Sequence, residues 1–435
     1  MTRNHIKPPA PTFRLHLFES LLKEHRALWM TGLFLVALAV RTVVCVRYGD
    51  TNPRTANIWE YGEIAVSWLK HGRMVGSIVF PGGAEYLYPT AFMPPLYIFV
   101  WMALFHLFGQ SAVALGIALL INVILGALCA VLTAQVAERL FPSTLISLFA
   151  GLWIAIHPVF VFSSATYHAI NLYLVLFLWL FLLVTKTGEQ SYRHAALIGL
   201  VFGAGILART EYLMLGGAIV AAGYFIHRSW KRVALSCLLA GLVIAPWTAR
   251  NFVVMGSFIP VTDSAAYALF KGFNPLANGS GHWVDEHQIA QQLLGTEFRA
   301  VPPSPHYEMD VERVYAKAVR EFLIQHPWRA FVELPPIKLA LFWFFDAHDP
   351  TTHGLLYQLA LWTLMIPAAI GLFLAGKTLA ADPVHRVVLA MFLAQSVVMI
   401  CYAVHARYRM NVEPFLTAYA AYAIWLLAET RLRRT

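Results

Sequence analysis

Charge is scarce in this sequence. Only 13% of its 435 residues are Asp, Glu, Lys or Arg, against 59% hydrophobic residues, and mean hydropathy is +0.62. A soluble chain of this length needs far more charge to cover its surface, so an ordinary globular fold is excluded and most of the chain is expected to face lipid. Cysteine is scarce as well. Cys45, Cys129, Cys237 and Cys401 lie within or beside apolar runs and have no paired spacing, which excludes a disulfide framework and a thiolate zinc site. The first apolar run is long and lacks a small-residue cleavage site, so it reads as an anchor rather than a cleaved leader. The net charge of +9 is spread between the apolar runs instead of gathering on one face or tail. That pattern argues against nucleic acid and for membrane orientation signals.

A membrane-spanning helix needs roughly 17 to 25 mostly apolar residues. Segments at about 27–46, 112–137, 143–163, 169–185, 195–210, 211–226, 233–250, 355–375, 387–404 and 412–429 meet or approach that length. The expected fold is all-α and polytopic, with about ten transmembrane helices. With the N-terminus in the cytoplasm, as Arg14, Lys23, His25 and Arg26 suggest, parity places Arg139, 186–193, 227–232, 377–386 and 431–434 on the cytoplasmic side too. This agrees with the positive-inside rule. The apolar stretches 94–109 and 335–345 are then read as helices lying in the outer interface.

The resulting layout has a cytoplasmic tail (1–26), a membrane core (27–250) interrupted by a large outer loop (47–110), a second outer region (251–353), and C-terminal helices ending in the cytoplasm (354–435). Cytoplasmic loops are short, so chemistry is expected on the outer face. The lack of a eukaryotic targeting signal leans toward a bacterial inner membrane.

Within the first outer loop, Asn57-Ile-Trp-Glu-Tyr-Gly-Glu-Ile-Ala-Val-Ser-Trp-Leu-Lys70 has helical periodicity. Ile58, Tyr61, Ala65 and Trp68 share an apolar stripe, whereas Glu60, Glu63, Ser67 and Lys70 share a polar one. Such a helix lies along a membrane surface and presents both glutamates upward. A carboxylate at the edge of a low-dielectric site suits a general base, because burial raises a carboxylate's pKa toward neutrality. The competing reading makes Asn57 a helix cap and Glu60 the third residue of a capping box, with Glu63 merely solvated.

The pattern Glu60-Tyr-Gly-Glu-Ile-Ala-(x3)-Leu69-(x2)-Gly72, then Pro89-Thr-Ala-Phe-Met-Pro-Pro-Leu-Tyr97, then Phe105-(x2)-Phe108-Gly109, resembles the first outer loop of GT-C-fold membrane glycosyltransferases, the superfamily of dolichyl-phosphate-mannose protein mannosyltransferases and aminoarabinose transferases. Leu207-Ala-Arg209-Thr-Glu211, Ala245-Pro-Trp247-Thr-Ala-Arg250-Asn251, Gly256-Ser-Phe-Ile-Pro260 and His405-Ala-Arg407-Tyr-Arg409 with Pro414 are similar to later family segments, in order, over nearly the whole chain. The resemblance implies a hexosyl- or pentosyltransferase that uses a polyprenyl-phosphate sugar. It carries the acidic, acceptor-activating role to Glu60, with Glu63 in reserve. Asn57 stands where the aminoarabinose-transferase-like version has aspartate, and His168-Ala-Ile-Asn171 replaces a second acidic position. No Asp-x-Asp motif is present there, so no metal ligands are assigned; a divalent cation has no supporting motif and no other cofactor is implied.

Arg209, Arg250, His405, Arg407 and Arg409 all fall at outer ends of spans, where orientation rules disfavour cations. They are the candidates to hold the carrier phosphate, since a guanidinium matches phosphate with a planar donor fork. Negative charge grows on the leaving phosphate as the glycosidic bond breaks, and a nearby arginine stabilises it. The ordinary alternatives are snorkelling to headgroups or pairing with Glu211 or Glu413.

The expected partners are therefore membrane lipids, a polyprenyl-phosphate sugar, and a lipid, glycan or protein acceptor. In the second outer region, 309–325 reads as an amphipathic helix and 272–281 as a turn-rich loop. Asp346-Ala-His348-Asp349 with His353 has metal-ligand residue types without a standard spacing, and Asn278-Gly-Ser280 matches a glycosylation pattern. Two other classes compete: a polyprenyl-lipid transporter or flippase, and a non-catalytic lipid-binding relative. A transporter would favour broken helices and midplane charge, often with a repeated half. The spans look almost free of such charge and no repeat is evident.

Overall fold

Short polar side chains and prolines mark where the long helices start. Ser111, Ser143 and Ser191 each accept a backbone N–H from the first helical turn, and Asp382 does so ahead of Pro383, satisfying donors that a helix cannot bond internally. The computed structural model describes residues 13–79, 83–186, 188, 191–282 and 286–432. Its first helices are α1 (Phe13–Glu24), α2 (Arg26–Tyr48), α3 (Trp59–His71), α4 (Pro95–Phe108) and α5 (Ala112–Leu140). There follow α6 (Thr144–Ile156), α7 (Pro158–Phe162), α8 (Ile170–Val184), α9 (Tyr192–Ala208), α10 (Tyr212–His227) and α11 (Trp230–Met255). The second loop region holds α12 (Ala265–Gly272), α13 (Glu286–Ala300), α14 (Tyr307–Gln325) and α15 (Leu334–Trp343). The chain ends with α16 (Leu355–Leu374), α17 (Gly376–Ala381), α18 (Pro383–Cys401) and α19 (Glu413–Leu432).

Every segment expected to span is helical. Among the described residues, five helices (α2, α5, α11, α16 and α18) are long and apolar enough to cross a bilayer unaided. Three of the other expected spans, α8, α9 and α10, are shorter, at 15, 17 and 16 residues. The segment 143–163, read as one span, is instead a pair of helices bent by 56°. Pro158 lacks the N–H that would continue the ladder of α6.

Arg41 closes this break. It is wholly buried in α2, and its guanidinium donates to the carbonyls of Ala155 at 2.9 Å and Ile154 at 3.0 Å, which the end of α6 leaves free. A cation there also meets the negative end of the helix dipole. Gly126 of α5 makes room, because a Cβ at that position would lie 2.7 Å from Arg41 Nε. Arg41 is thus an exception to the reading that the spans are almost free of internal charge.

α5 runs through the middle of the bundle, against α2, α6, α8 and α19. Its buried Ala118, Ala127, Ala130, Ala134 and Ala137 allow the close helix approach on which packing in lipid depends. Outward-facing Phe373 and Leu393 remain exposed, as suits surroundings of lipid tails. The chain is an integral membrane protein. The second loop region has a small core of its own, built from Phe270, Leu294, Tyr315, Val319 and Phe322. Its α14 matches the expected amphipathic helix. A hairpin that the sequence reading did not contain, β1 (Val75–Val79) with antiparallel β2 (Glu85–Pro89), follows α3.

Candidate active site

At one end of the bundle, several connections come together around α3. Asn57 Oδ1 accepts the N–H of Trp59 at 3.1 Å, and the chain enters α3 with Trp59 at φ 56°. That left-handed backbone is unusual for a bulky residue and costs on the order of 1–3 kcal/mol. Tyr61, Gly62, Ile64 and Ala65 then face inward, while Glu63 and Lys70 face out. A Cβ on Gly62 would lie 2.6 Å from Ile58, so glycine lets Ile58 fold back over the first turn. Ser67 Oγ donates to Ile64 O and accepts the N–H of Val75, tying the hairpin to the helix. Gly72, at φ 66°, ends α3 in the left-handed conformation that glycine adopts without strain.

The two glutamates are not equivalent. Glu60 is half-buried on the first turn, and no described residue gives it a hydrogen bond, so the alternative capping box does not form. Glu63 is one turn on and exposed; partial burial and the charge of Glu60 raise its pKa.

Around this turn stand three of the five basic candidates. Arg407, in the 3-10 helix Ala406–Asn411, lies with its guanidinium 5.6 Å from the Trp59 ring and 5.8 Å from the Tyr408 ring. It has no carboxylate partner among the described residues, and its Nε is sealed without a hydrogen bond. Arg209 caps α9, sits 5.7 Å from the other arginine's neighbour Tyr408, and is paired with Glu211 at 2.9 Å. His405 packs edge-on to Tyr408 at 5.2 Å and against Gly281, where a Cβ would come within 2.4 Å of its Nε2.

His168 meets Trp59 and Tyr61 edge-on, at 5.4 and 6.0 Å. Burial, reinforced by the two arginines, drives the pKa values of His168 and His405 well below the usual histidine range, so both are neutral at pH 7. Burial also pushes the Tyr61 phenol up to about 12, and the charges of Arg209, Glu211, Glu60 and Arg407 all reach it.

One region therefore concentrates buried polar atoms that have no hydrogen-bond partner among the described residues: His168 Nδ1, Tyr173 Oη, Arg209 Nη1, His405 Nε2 and Arg407 Nε. Unsatisfied donors in such a setting are an invitation to an anion. His168 faces the guanidinium groups of Arg209 and Arg407, whose charges add to burial in lowering its pKa.

The other two arginines lie elsewhere. Arg250 donates to Thr90 O at 2.8 Å and Asn251 Oδ1 at 3.0 Å, over the Trp247 ring. Its electrostatic neighbours are Asp263 and Glu308. Those two acids form a pair that the sequence did not suggest. Burial raises the pKa of both, and that of Glu308 the more because Asp263 faces it.

Arg409, expected as a phosphate ligand, is buried with all its donor groups engaged. Its Nε pairs with Glu413 at 3.0 Å, Nη1 donates to Phe342 O and Phe344 O at 3.0 and 3.1 Å, and Nη2 to the Tyr357 hydroxyl. The physical reason is its position one turn before Glu413, at the junction of α15, α16 and α19. Arg409→Ala is expected to cost about 3–5 kcal/mol, because Glu413 is left buried and unpaired. A thermal unfolding scan in detergent checks this, and Arg407→Ala should leave that transition nearly unchanged.

The weaker sequence signals resolve into turns. Asp346 accepts hydrogen bonds from Ser280 Oγ at 2.7 Å and His348 N at 3.0 Å, while Asp349 caps Thr351 at 2.9 Å. Among the described residues no group of three or more His, Cys, Asp and Glu side chains is placed to hold a metal ion. Asn278 is exposed and closes its own turn by accepting Ser280 N at 3.0 Å, while Ser280 is fully buried. The 272–281 loop is pinned to the α18–α19 connection through Val404, which donates to Gly279 O at 2.9 Å. The aromatic partners Trp59 and Tyr408 were missed as site residues, since no spacing rule marks an aromatic as an arginine's stacking partner.

This architecture is the GT-C fold of membrane glycosyltransferases. No protein-family model matches the chain, and no curated protein matches its sequence. Its structure is similar to the archaeal oligosaccharyltransferase AglB from Archaeoglobus fulgidus in complex with an inhibitory peptide and a dolichol-phosphate. The TM-score is 0.56 at 14% identity, covering 94% of this chain and 52% of that one. The oligosaccharyltransferase of the same organism tethered to an acceptor peptide matches at 0.55 and 14% identity, over 95% of this chain and 51% of that one. ArnT from Cupriavidus metallidurans bound to undecaprenyl phosphate is also matched, with a TM-score of 0.43 and 15% identity, over 90% and 77% of the two chains. The chain spans about half the length of the oligosaccharyltransferases it resembles.

Proposed function

We propose that this protein is a membrane glycosyltransferase that moves a hexosyl or pentosyl group from a polyprenyl-phosphate carrier to a lipid, glycan or protein acceptor. One observation carries the reading: Arg407, a cation without an acid partner among the described residues, lies over the ring of the residue that directly precedes Glu60. A phosphate-binding group on the 406–411 segment and a base on the first turn of α3 are thus linked through Trp59. Glu60 takes the proton of an acceptor hydroxyl or amine, and the acceptor's lone pair attacks the anomeric carbon. The bond from that carbon to the phosphate oxygen breaks with inversion, and its electrons stay on the phosphate, where the donors of Arg407 stabilise them. Neutral His168 and His405, with Arg209 Nη1, offer further hydrogen bonds to the carrier.

The distribution of basic residues supports a site on the outer, periplasmic face of a bacterial inner membrane with both termini cytoplasmic. In this layout 47–110 and 251–353 are the outer regions joined to the membrane core. The test is transfer from a panel of radiolabelled polyprenyl-phosphate sugars into membrane extracts. One donor should support transfer; no transfer from any donor, by protein shown to be folded, overturns the reading.

The bent α6–α7 pair and buried Arg41 favour a second reading, translocation of a polyprenyl lipid, for which broken helices are typical. Against it, Arg41 spends two donors on the freed carbonyls of α6. Flipping of polyprenyl phosphate in proteoliposomes without sugar transfer would select the second reading.

A further inference from the structure

We propose that Trp59 is a positioning residue, whose indole on a left-handed turn fixes the plane of the Arg407 guanidinium and its placement relative to Glu60. The inference rests on the reading of Arg407 and Glu60 given above, and adds a residue to it. An arginine without an ion pair is free to swing unless its flat faces are held. Here the guanidinium carbon lies over the Trp59 ring at 5.6 Å and over the Tyr408 ring at 5.8 Å, and no described residue accepts a hydrogen bond from its side chain, so its donors are left for a phosphate.

Trp59 is itself gripped. His168 lies edge-on at 5.4 Å, and Asn57 Oδ1 holds the Trp59 N–H at 3.1 Å. Its φ of 56° is one of only two positive values among the described non-glycine residues. The other, Arg228, is the left-handed cap that ends α10, a place where such backbone is ordinary. At Trp59 the left-handed residue begins a helix, and a strained conformation persists only where its surroundings over-determine it. Because Glu60 is the next residue, the same turn directs the carboxylate. An error of about 1 Å in such an arrangement costs on the order of 100-fold in rate.

The experiment uses the full chain in phosphatidylcholine nanodiscs, with undecaprenyl phosphate as the binding probe and sugar transfer as a second readout. Trp59→Phe keeps a ring face, Trp59→Leu keeps bulk without one, and Trp59→Gly relieves the backbone while removing the ring. Phe is expected to bind within about threefold of wild type, whereas Leu and Gly bind about tenfold more weakly. In transfer, Gly should retain more kcat than Leu, because glycine accepts the turn that aims Glu60.

Wild-type affinity in folded Leu or Gly protein overturns the proposal, and so does a loss with Phe as large as that with Leu. If Leu fails to fold, Gly and Phe carry the same comparison. If both Leu and Gly fail to fold, Phe decides alone: binding about tenfold weaker than wild type overturns the proposal, and binding within about threefold upholds it. A wild-type protein that neither binds the probe nor transfers sugar instead overturns the underlying reading.

Discussion

Glu60→Gln is expected to slow transfer by about 100- to 10,000-fold while donor KM changes little, the range removed with a general base. The substitution preserves size and removes only the ability to accept a proton. Glu60 is half-buried and accepts no hydrogen bond from any described residue, so the amide breaks no existing contact and folding should be unaffected. Glu63→Gln is the matched control. Glu63 points outward from the same helix, and its replacement should change the rate by less than about threefold, as expected of a surface substitution. Steady-state transfer with the donor found in the panel provides both numbers. Equal loss from both variants would leave no single base, and loss from Glu63→Gln alone would exchange their roles.

Arg407→Ala should lower kcat by about 100- to 1,000-fold, the cost of removing one group that meets developing charge. Arg407→Lys should recover part of this, since a lysine keeps the charge but loses the planar fork and the stacked faces. Arg250→Ala provides the contrast. Its guanidinium serves Thr90, Asn251 and Trp247, so its loss should loosen the first outer loop from α11 more than it slows transfer. Undiminished transfer by Arg407→Ala would remove the phosphate role from the residue that the geometry favours most.

Much of the architecture was legible because lipid imposes a simple rule. A stretch with enough apolar residues and no charge forms a helix, since its backbone groups have no other partners in hydrocarbon. Each segment expected to cross the membrane is helical, and 94–109, 335–345 and 309–325 are helices as well. The break at Pro158 escaped the reading because hydropathy averages over a window and does not see one missing N–H. The hairpin escaped it because five-residue strands between helices carry little periodic signal.

For the proposed site, the sequence by itself supplied the candidate residue types and their expected place at the ends of spans. Glutamates on an amphipathic helix and arginines at the ends of spans are one-dimensional features, set by hydropathy and charge. Only the tertiary structure separated the arginines by their neighbours. Arg409 spends its donors on Glu413, Tyr357 and two carbonyls; Arg209 spends two on Glu211; and Arg407, two residues from Arg409, finds only aromatic rings among the described residues. Whether a cation is used up or free depends on which chain segments pack beside it. That depends on contacts between residues far apart in sequence, which spacing does not encode.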